Sequence, residues 1–278
     1  MIIKPSKISK KTGGKNFMNY GKMAPKEVRK LIREEKITFQ TSGMCDGYAQ
    51  ANLVILPQKD AYDFLLFAQR NPTSCPLLEV SDAGSRKLKY IAEDADIARD
   101  LPKYRIWENG KMTEECTNIV DFWQEDLVSF LIGCSFSFEA ELLASDIPVR
   151  HIEENRNVPM FNTNIPCSPA GIFRGNMVVS MRPMTEKEAI TATVITSSMP
   201  RVHGKPVHFG DPKKIGIRDL SKPDYGDAVT IKDGEIPVFW PCGVTPQAAL
   251  AAAKPKFAIT HAPGHMFITD VKNSSLKN

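Results

Sequence analysis

Five histidines set much of the chemistry open to this chain: His151, His203, His208, His261 and His265. An imidazole titrates near neutral pH and is the usual general acid or base. His261 and His265 share one loop, His-Ala-Pro-Gly-His, so they are the first candidates for proton transfer. His203 and His208 flank Gly-Lys-Pro and are expected to face that pair across a cleft as substrate contacts. Each ring taken singly also reads as a satisfied interior histidine. Cys242, Gly243 and Thr245 form a second group, between the apolar run Val238 to Trp240 and an Ala-rich stretch. A helix N-terminus there would stabilise a thiolate at Cys242 or a bound carboxylate at Gly243 and Thr245. The competing reading makes Gly243 a turn residue and Cys242 a small core residue. Ser135 and Ser137 either cap a helix or hold a carboxylate, and Glu139 is a candidate acid or base in the same turn. Tyr48, Gln50 and Asn52 lead into an apolar run, where carboxamides bind a ligand or fasten a loop. Arg174 and Arg182 are candidate partners for a substrate carboxylate.

No metal or cofactor is expected. The chain has no Cys-x-x-Cys pair, no His-Glu-x-x-His helix, no phosphate loop and no dinucleotide fingerprint. Histidines with Asp211 or Asp227 around Zn²⁺ or Mn²⁺ are the alternative.

These groups need elements to position them. Ala24–Lys36 reads as a helix, with Pro25 near its first position and Val28, Leu31 and Ile32 facing inward. Leu53–Leu56 and Leu77–Val80 read as strands, and Asp60–Gln69 as a helix. Asn109-Gly110 signals a hairpin between Tyr104–Glu108 and Lys111–Glu114. Asp121–Ile132 reads as a helix stopped by Gly133, with a second helix from about Phe138. Met177–Met181 reads as a strand. Thr185 and Glu188 form a capping box for a helix to about Ser198. Short strands are expected at Val207 and Ile215–Ile217, and a hairpin of Val229–Ile231 with Ile236–Trp240 through Asp233-Gly234. Thr245 is expected to cap a helix to about Ala253, with Pro246 in its first position. Phe257–Thr260 is the last strand expected.

The 278 residues suit one large domain or two modest ones. Residues 1–36 carry 11 Lys or Arg against 3 acids, whereas the rest carries 25 against 29. The net charge of +4 therefore belongs to the N-terminal segment. The mildly acidic body argues against a nucleic-acid groove. No apolar run reaches the roughly 20 residues of a membrane span, and no signal-peptide core is present. Reduced cysteines and a cytoplasmic location are expected. Residues 1–17 read as a flexible basic extension, with Met18 as an alternative start.

Long motifs then identify a relationship. Gly47-Tyr-Ala-Gln-Ala-Asn-Leu-Val-Ile-Leu-Pro57, Arg70-Asn-Pro-Thr-Ser-Cys-Pro-Leu-Leu-Glu79, Gly133-Cys-Ser-Phe-Ser-Phe-Glu139, Thr163-Asn-Ile-Pro-Cys-Ser-Pro-Ala-Gly171, Val202-His-Gly-Lys-Pro-Val-His208 and Pro237–His265 resemble the YcsI-like bacterial family of hydro-lyases. That family shares its domain with mitochondrial D-glutamate cyclase. The resemblance runs from about residue 24 to 270. Departures are small: Cys45-Asp46 stands where Ala-Pro is commoner, and Ala68 where a Cys is common.

The expected fold is α/β: a larger mixed-sheet α/β sandwich over residues 18–145 and 223–278, with a smaller two-layer α+β insert over 146–222. The resemblance implies a lyase of small-molecule metabolism, D-glutamate cyclase-like, forming 5-oxo-D-proline and water. The expected partner is a small carboxylate, with a homo-oligomer left open. A non-catalytic carboxylate-binding module and a metal-dependent lyase on another small acid are the alternatives.

Overall fold

The structure is a computed structural model that describes residues 19–277; the extension expected over residues 1–17 and the start at Met18 lie outside them. In chain order come α1 (Pro25–Arg33), β1 (Tyr48–Pro57), α2 (Gln58–Arg70), β2 (Leu77–Val80), β3 (Tyr104–Glu108), β4 (Lys111–Cys116) and β5 (Leu127–Gly133). Then follow α3 (Phe136–Ala144), α4 (Arg150–Glu153), β6 (Met160–Pro166), β7 (Asn176–Thr185), α5 (Glu186–Ser197), β8 (His208–Phe209), β9 (Glu235–Pro241), α6 (Thr245–Ala253), β10 (Phe257–His261) and β11 (Phe267–Lys272).

The larger sheet has the order β2-β5-β1-β10-β3-β4, with β11 also paired to β1. The smaller has the order β6-β7-β9-β8. The α/β class holds, with helices packed on both sheets. Every pairing among the described residues is antiparallel rather than mixed.

Residues 127–133, expected as the end of a helix, form a central strand instead. The run Leu-Val-Ser-Phe-Leu-Ile-Gly is buried at every position, so its helical and strand periodicities cannot be separated by pattern alone. The fold separates them by alternation. Leu127 and Leu131 point into one core, Val128, Phe130 and Ile132 into the other. β1 does the same, with Leu53 and Ile55 on the first face and Val54 and Leu56 on the second. A strand covered on both faces is necessarily a near-continuous apolar run.

On one face α2 and α6 cover the sheet through Phe64, Phe67, Ala249 and Leu250. On the other, Phe138 and Leu142 of α3 join Ala189 and Ala192 of α5 and Val238 and Trp240 of β9. Phe239, the intervening residue of β9, packs on Val179, Met181 and Ile215 in a separate core. The expected strand at Ile215–Ile217 begins in a 3-10 turn, Pro212–Ile215. Residues 229–231 carry no strand, because β9 pairs with β7 and β8 on its two edges and leaves them no ladder. The Thr185 capping box is formed, its hydroxyl accepting the Glu188 N–H.

Candidate functional site

Three loops far apart in sequence meet at one end of β1. The first follows β5 and carries Cys134 and Ser135. The second follows β9 and carries Cys242, Gly243 and Val244. The third joins β10 to β11 and carries Pro263, Gly264 and Met266. With Asn52 of β1, His261 of β10 and Phe136 they line a narrow cleft with a cavity volume of about 30 Å³. The helices α3 and α6 both begin at this cleft, since Ser135 and Val244 are their capping residues. Helix N-termini carry partial positive charge and unpaired N–H groups. The backbone N–H groups of Ser135 and Gly243 have no acceptor among the described residues.

Strand pairing explains why His261 sits here. One edge of β1 pairs with β10 at Val54 and Ile55, and with β11 at Gln50 and Ala51. Between these contacts the ladder changes partner and Leu53 lacks a strand opposite it. The His261 ring fills the gap: its Nδ1 accepts the Leu53 N–H at 3.1 Å. Nδ1 also lies 3.3 Å from the Leu53 carbonyl, so either tautomer of the neutral ring finds a partner at Leu53. Burial drives the His261 pKa down to about 4, against the opposing pull of the Leu53 backbone. His261 is therefore a neutral ring. Gln247 of α6, which the sequence reading did not single out, lies 3.2 Å from the His261 carbonyl and donates to it.

The loop after β9 is pinned in a similar way. Thr245 was expected to cap α6, but it is the first helical residue and its hydroxyl points to β7. It accepts the Val178 N–H at 3.0 Å and donates to the Val178 carbonyl at 3.3 Å. β9 stops pairing with β7 at Pro241, opposite Val179. Thr245 and the Cys242 N–H, which donates to the Val178 carbonyl, extend that ladder by one residue. The Cys242 thiol is pushed up to about 11 by burial, and Cys134 to about 12. Neither is a thiolate at neutral pH, so the helix terminus does not activate Cys242 as expected.

Behind Ser135 lies a buried ionic cluster. Arg182 of β7 stacks between Phe138 and Trp240, its guanidinium carbon 4.9 and 5.4 Å from the two ring centres. It donates to Glu139 through Nε at 3.1 Å and again through a guanidinium NH2 group, and to Ser135 Oγ at 3.1 Å. His151 Nε2 is 3.4 Å from Glu139 Oε1. Burial would raise the Glu139 carboxyl, but the neighbouring His151 ring and the Arg182 guanidinium outweigh it and hold the group at about 2. Glu139 is thus a fixed carboxylate paired to a fixed cation, not a group that exchanges protons near neutral pH. Arg182 touches Ser135 rather than the open cleft.

The other sequence candidates divide. Gln50 fastens a loop, its amide donating to the Thr41 carbonyl at 2.8 Å and its carbonyl accepting the Thr41 hydroxyl at 2.7 Å. The Thr41 hydroxyl in turn accepts the Met266 N–H and holds the third loop. Ser137 caps nothing; its hydroxyl accepts the Gln50 N–H at 3.3 Å. Tyr48 borders a neighbouring groove with Gln50 and Glu139. His265 turns away from the cleft, hydrogen-bonded to the Pro263 carbonyl at 2.9 Å, and burial lowers its pKa. His203 is buried against the Thr73 carbonyl at 2.8 Å, with its pKa pushed down to about 4 by burial. His208 stacks on Phe239 and bonds the Asp211 carbonyl. Neither histidine faces His261 across the cleft, because one belongs to the loop after α5 and the other to the edge of the smaller sheet. Arg174 is exposed in the β6–β7 connection and lines none of the three neighbouring grooves. Asn157, Val158 and Met160 line the cleft without having been singled out.

Among the described residues no group of three or more His, Cys, Asp or Glu is clustered to hold a metal ion. No helix among them is long and apolar enough to cross a membrane.

The chain is similar to known proteins along most of its length. A protein of Clostridium beijerinckii named "Putative hydro-lyase" is 66% identical over 94% of this chain and 99% of its own length. "Putative hydro-lyase YcsI" of Bacillus subtilis is 59% identical over 91% of this chain and 99% of its own length. A third, "Putative hydro-lyase SH0274" of Staphylococcus haemolyticus, is 57% identical over 94% and 100%. These names support a hydro-lyase-like function. The D-glutamate cyclase family model matches residues 128–270, a span that opens on β5 and closes on β11 and so contains all three loops of the cleft. The chain belongs to the D-glutamate cyclase family.

Proposed function

We propose that the chain is a lyase that closes D-glutamate to 5-oxo-D-proline with loss of water, in the cleft between the starts of α3 and α6. The observation that carries this reading is the convergence of Ser135, Gly243, Asn52 and His261 on one cleft, from four separate segments. In the reaction the substrate nitrogen attacks the γ-carboxyl carbon, a C–N bond forms, and a carboxyl oxygen leaves as water after protonation. The Ser135 and Gly243 N–H groups and the Ser135 hydroxyl suit a carboxylate and the oxyanion that develops from it. Arg182 donates to Ser135 Oγ, so the hydroxyl proton is free to point at the ligand. His261 serves as a neutral hydrogen-bonding partner of the departing oxygen, and the two protons that make it water are the two the ammonium nitrogen loses, passed through solvent. No carboxylate lines the cleft, so the substrate ammonium sheds its proton to solvent before ring closure, and turnover rises with pH above neutrality.

The test is to incubate the purified protein with D-glutamate and related small acids and to follow 5-oxoproline by NMR. Product from D-glutamate, lost in Ser135→Ala with the fold retained, is the expected result. Dehydration of a different acid, with D-glutamate untouched, would keep the lyase class and move the substrate. Binding without turnover of any acid would make the cleft a carboxylate-binding module and overturn the enzyme reading.

A further inference from the structure

We propose that Asn52 selects an amino acid over other small acids, its Oδ1 accepting a hydrogen bond from the substrate nitrogen; this rests on the cleft being the carboxylate site proposed above. Asn52 sits where β1 changes partner between β10 and β11, opposite Ile132 of β5. Its Nδ2 donates to the Gly133 carbonyl at 2.9 Å and to the Ile132 carbonyl at 3.3 Å. Both amide protons are therefore spent. Turning the carboxamide over would set Oδ1 against two carbonyl oxygens, acceptor against acceptor, so its orientation is fixed by its surroundings.

Oδ1 is left as the free end. The residue is only 4% exposed, yet it lines the cleft. No donor among the described residues reaches Oδ1. Nor is Oδ1 one of the side-chain atoms sealed from solvent without a partner. Gly243 presses on the carboxamide from across the cleft: a Cβ at that position would stand 2.1 Å from Nδ2 and 2.7 Å from Oδ1. What position 243 requires is the lack of a side chain, not unusual backbone freedom.

Among the other polar groups here, the Ser135 and Gly243 N–H groups and the Ser135 hydroxyl are donors, while the Asn157 carboxamide and the His261 ring can give or accept. Donors match carboxylate oxygens. An acceptor fixed in orientation beside them matches an N–H group, and an acid without nitrogen leaves it unpaired. Sites built around a ligand N–H reject analogues that lack it, because the buried partner group is stranded.

The test compares binding of D-glutamate with that of glutarate, which lacks only the amino group, by calorimetric titration. The wild-type protein is expected to prefer D-glutamate by about 10- to 100-fold, the range for a hydrogen bond to a charged group. Asn52→Leu is expected to abolish that preference while leaving glutarate affinity unchanged. Where Asn52→Leu does not fold, Asn52→Ala carries the comparison, since it removes the carboxamide without adding bulk. Equal binding of the two acids by the wild type, or equal weakening of both by the variants, would make Asn52 structural and overturn the proposal, with the carboxylate cleft intact. Binding of neither acid by the wild type would overturn both.

Discussion

His261 and His203 are held neutral by burial, each with a pKa near 4, and this links stability to pH. Below about pH 6.5 an unfolded imidazole takes up a proton that the native ring refuses until about pH 4. The unfolded state then binds more protons, so stability is full above pH 6.5 and declines as the pH falls toward 4. A depression of this size amounts to up to about 3 kcal/mol per histidine. Urea midpoints at pH 7 and pH 4.5 should differ strongly, and His203→Gln should remove part of the difference. A midpoint that does not move across this range would contradict the buried, neutral assignment. The residue types legible in the sequence were those able to do chemistry; their protonation states were not. Glu139 reads as a general acid until Arg182 and His151 are seen beside it, and Cys242 reads as a nucleophile until its burial is known.

At the scale of elements, the cleft is built where ladders end. Leu53 of β1 and Val178 of β7 each lack a full strand partner on one edge, and side chains at the end of β10 and the start of α6, His261 and Thr245, replace it. His261 thus has two jobs, and loss of activity on replacing it does not by itself identify chemistry. His261→Ala should cost about 1–3 kcal/mol for the orphaned backbone donor alone. Hydrogen exchange of the Leu53 amide should speed up in that variant while amides in α2 keep their protection. Unchanged exchange at Leu53 would show that the ring is not completing the strand. Strand ends with strong punctuation were legible: Asn109-Gly110 marks the β3–β4 hairpin, and Thr185 with Glu188 starts α5. β5 was not, because an apolar run buried on both faces has no period to read.

At the scale of the molecule, the two sheets share one core. Trp240 and Val238 of the smaller sheet pack in the same cluster as Leu53, Leu131 and Phe138, and the Trp240 indole donates to Thr196 of α5 at 3.1 Å. β9, which follows the span 146–222 in sequence, pairs with β7 and so belongs to the smaller sheet. A division into a discontinuous domain and an insert is a proposal about the chain's layout, and the shared core argues that the parts unfold together. Trp240→Ala should destabilise the protein by about 3–5 kcal/mol and shift a single transition, seen alike by fluorescence and circular dichroism. Two separated transitions would show independent units.

The sequence by itself determined the family relationship, the α/β class, most helix starts and the loops in which the cleft would lie. Those properties are local: they depend on residue type, on spacing within a few turns, and on long contiguous motifs. Only the tertiary structure decided which candidates meet. Asn52, Ser135, Gly243 and His261 are up to 209 positions apart in the chain and are joined by strand pairing and helix packing. The same packing turns His203, His208, His265 and Arg174 elsewhere. Contact between distant segments, and the burial that shifts a proton's affinity, arise only when both faces of a sheet are covered. No local pattern carries that information.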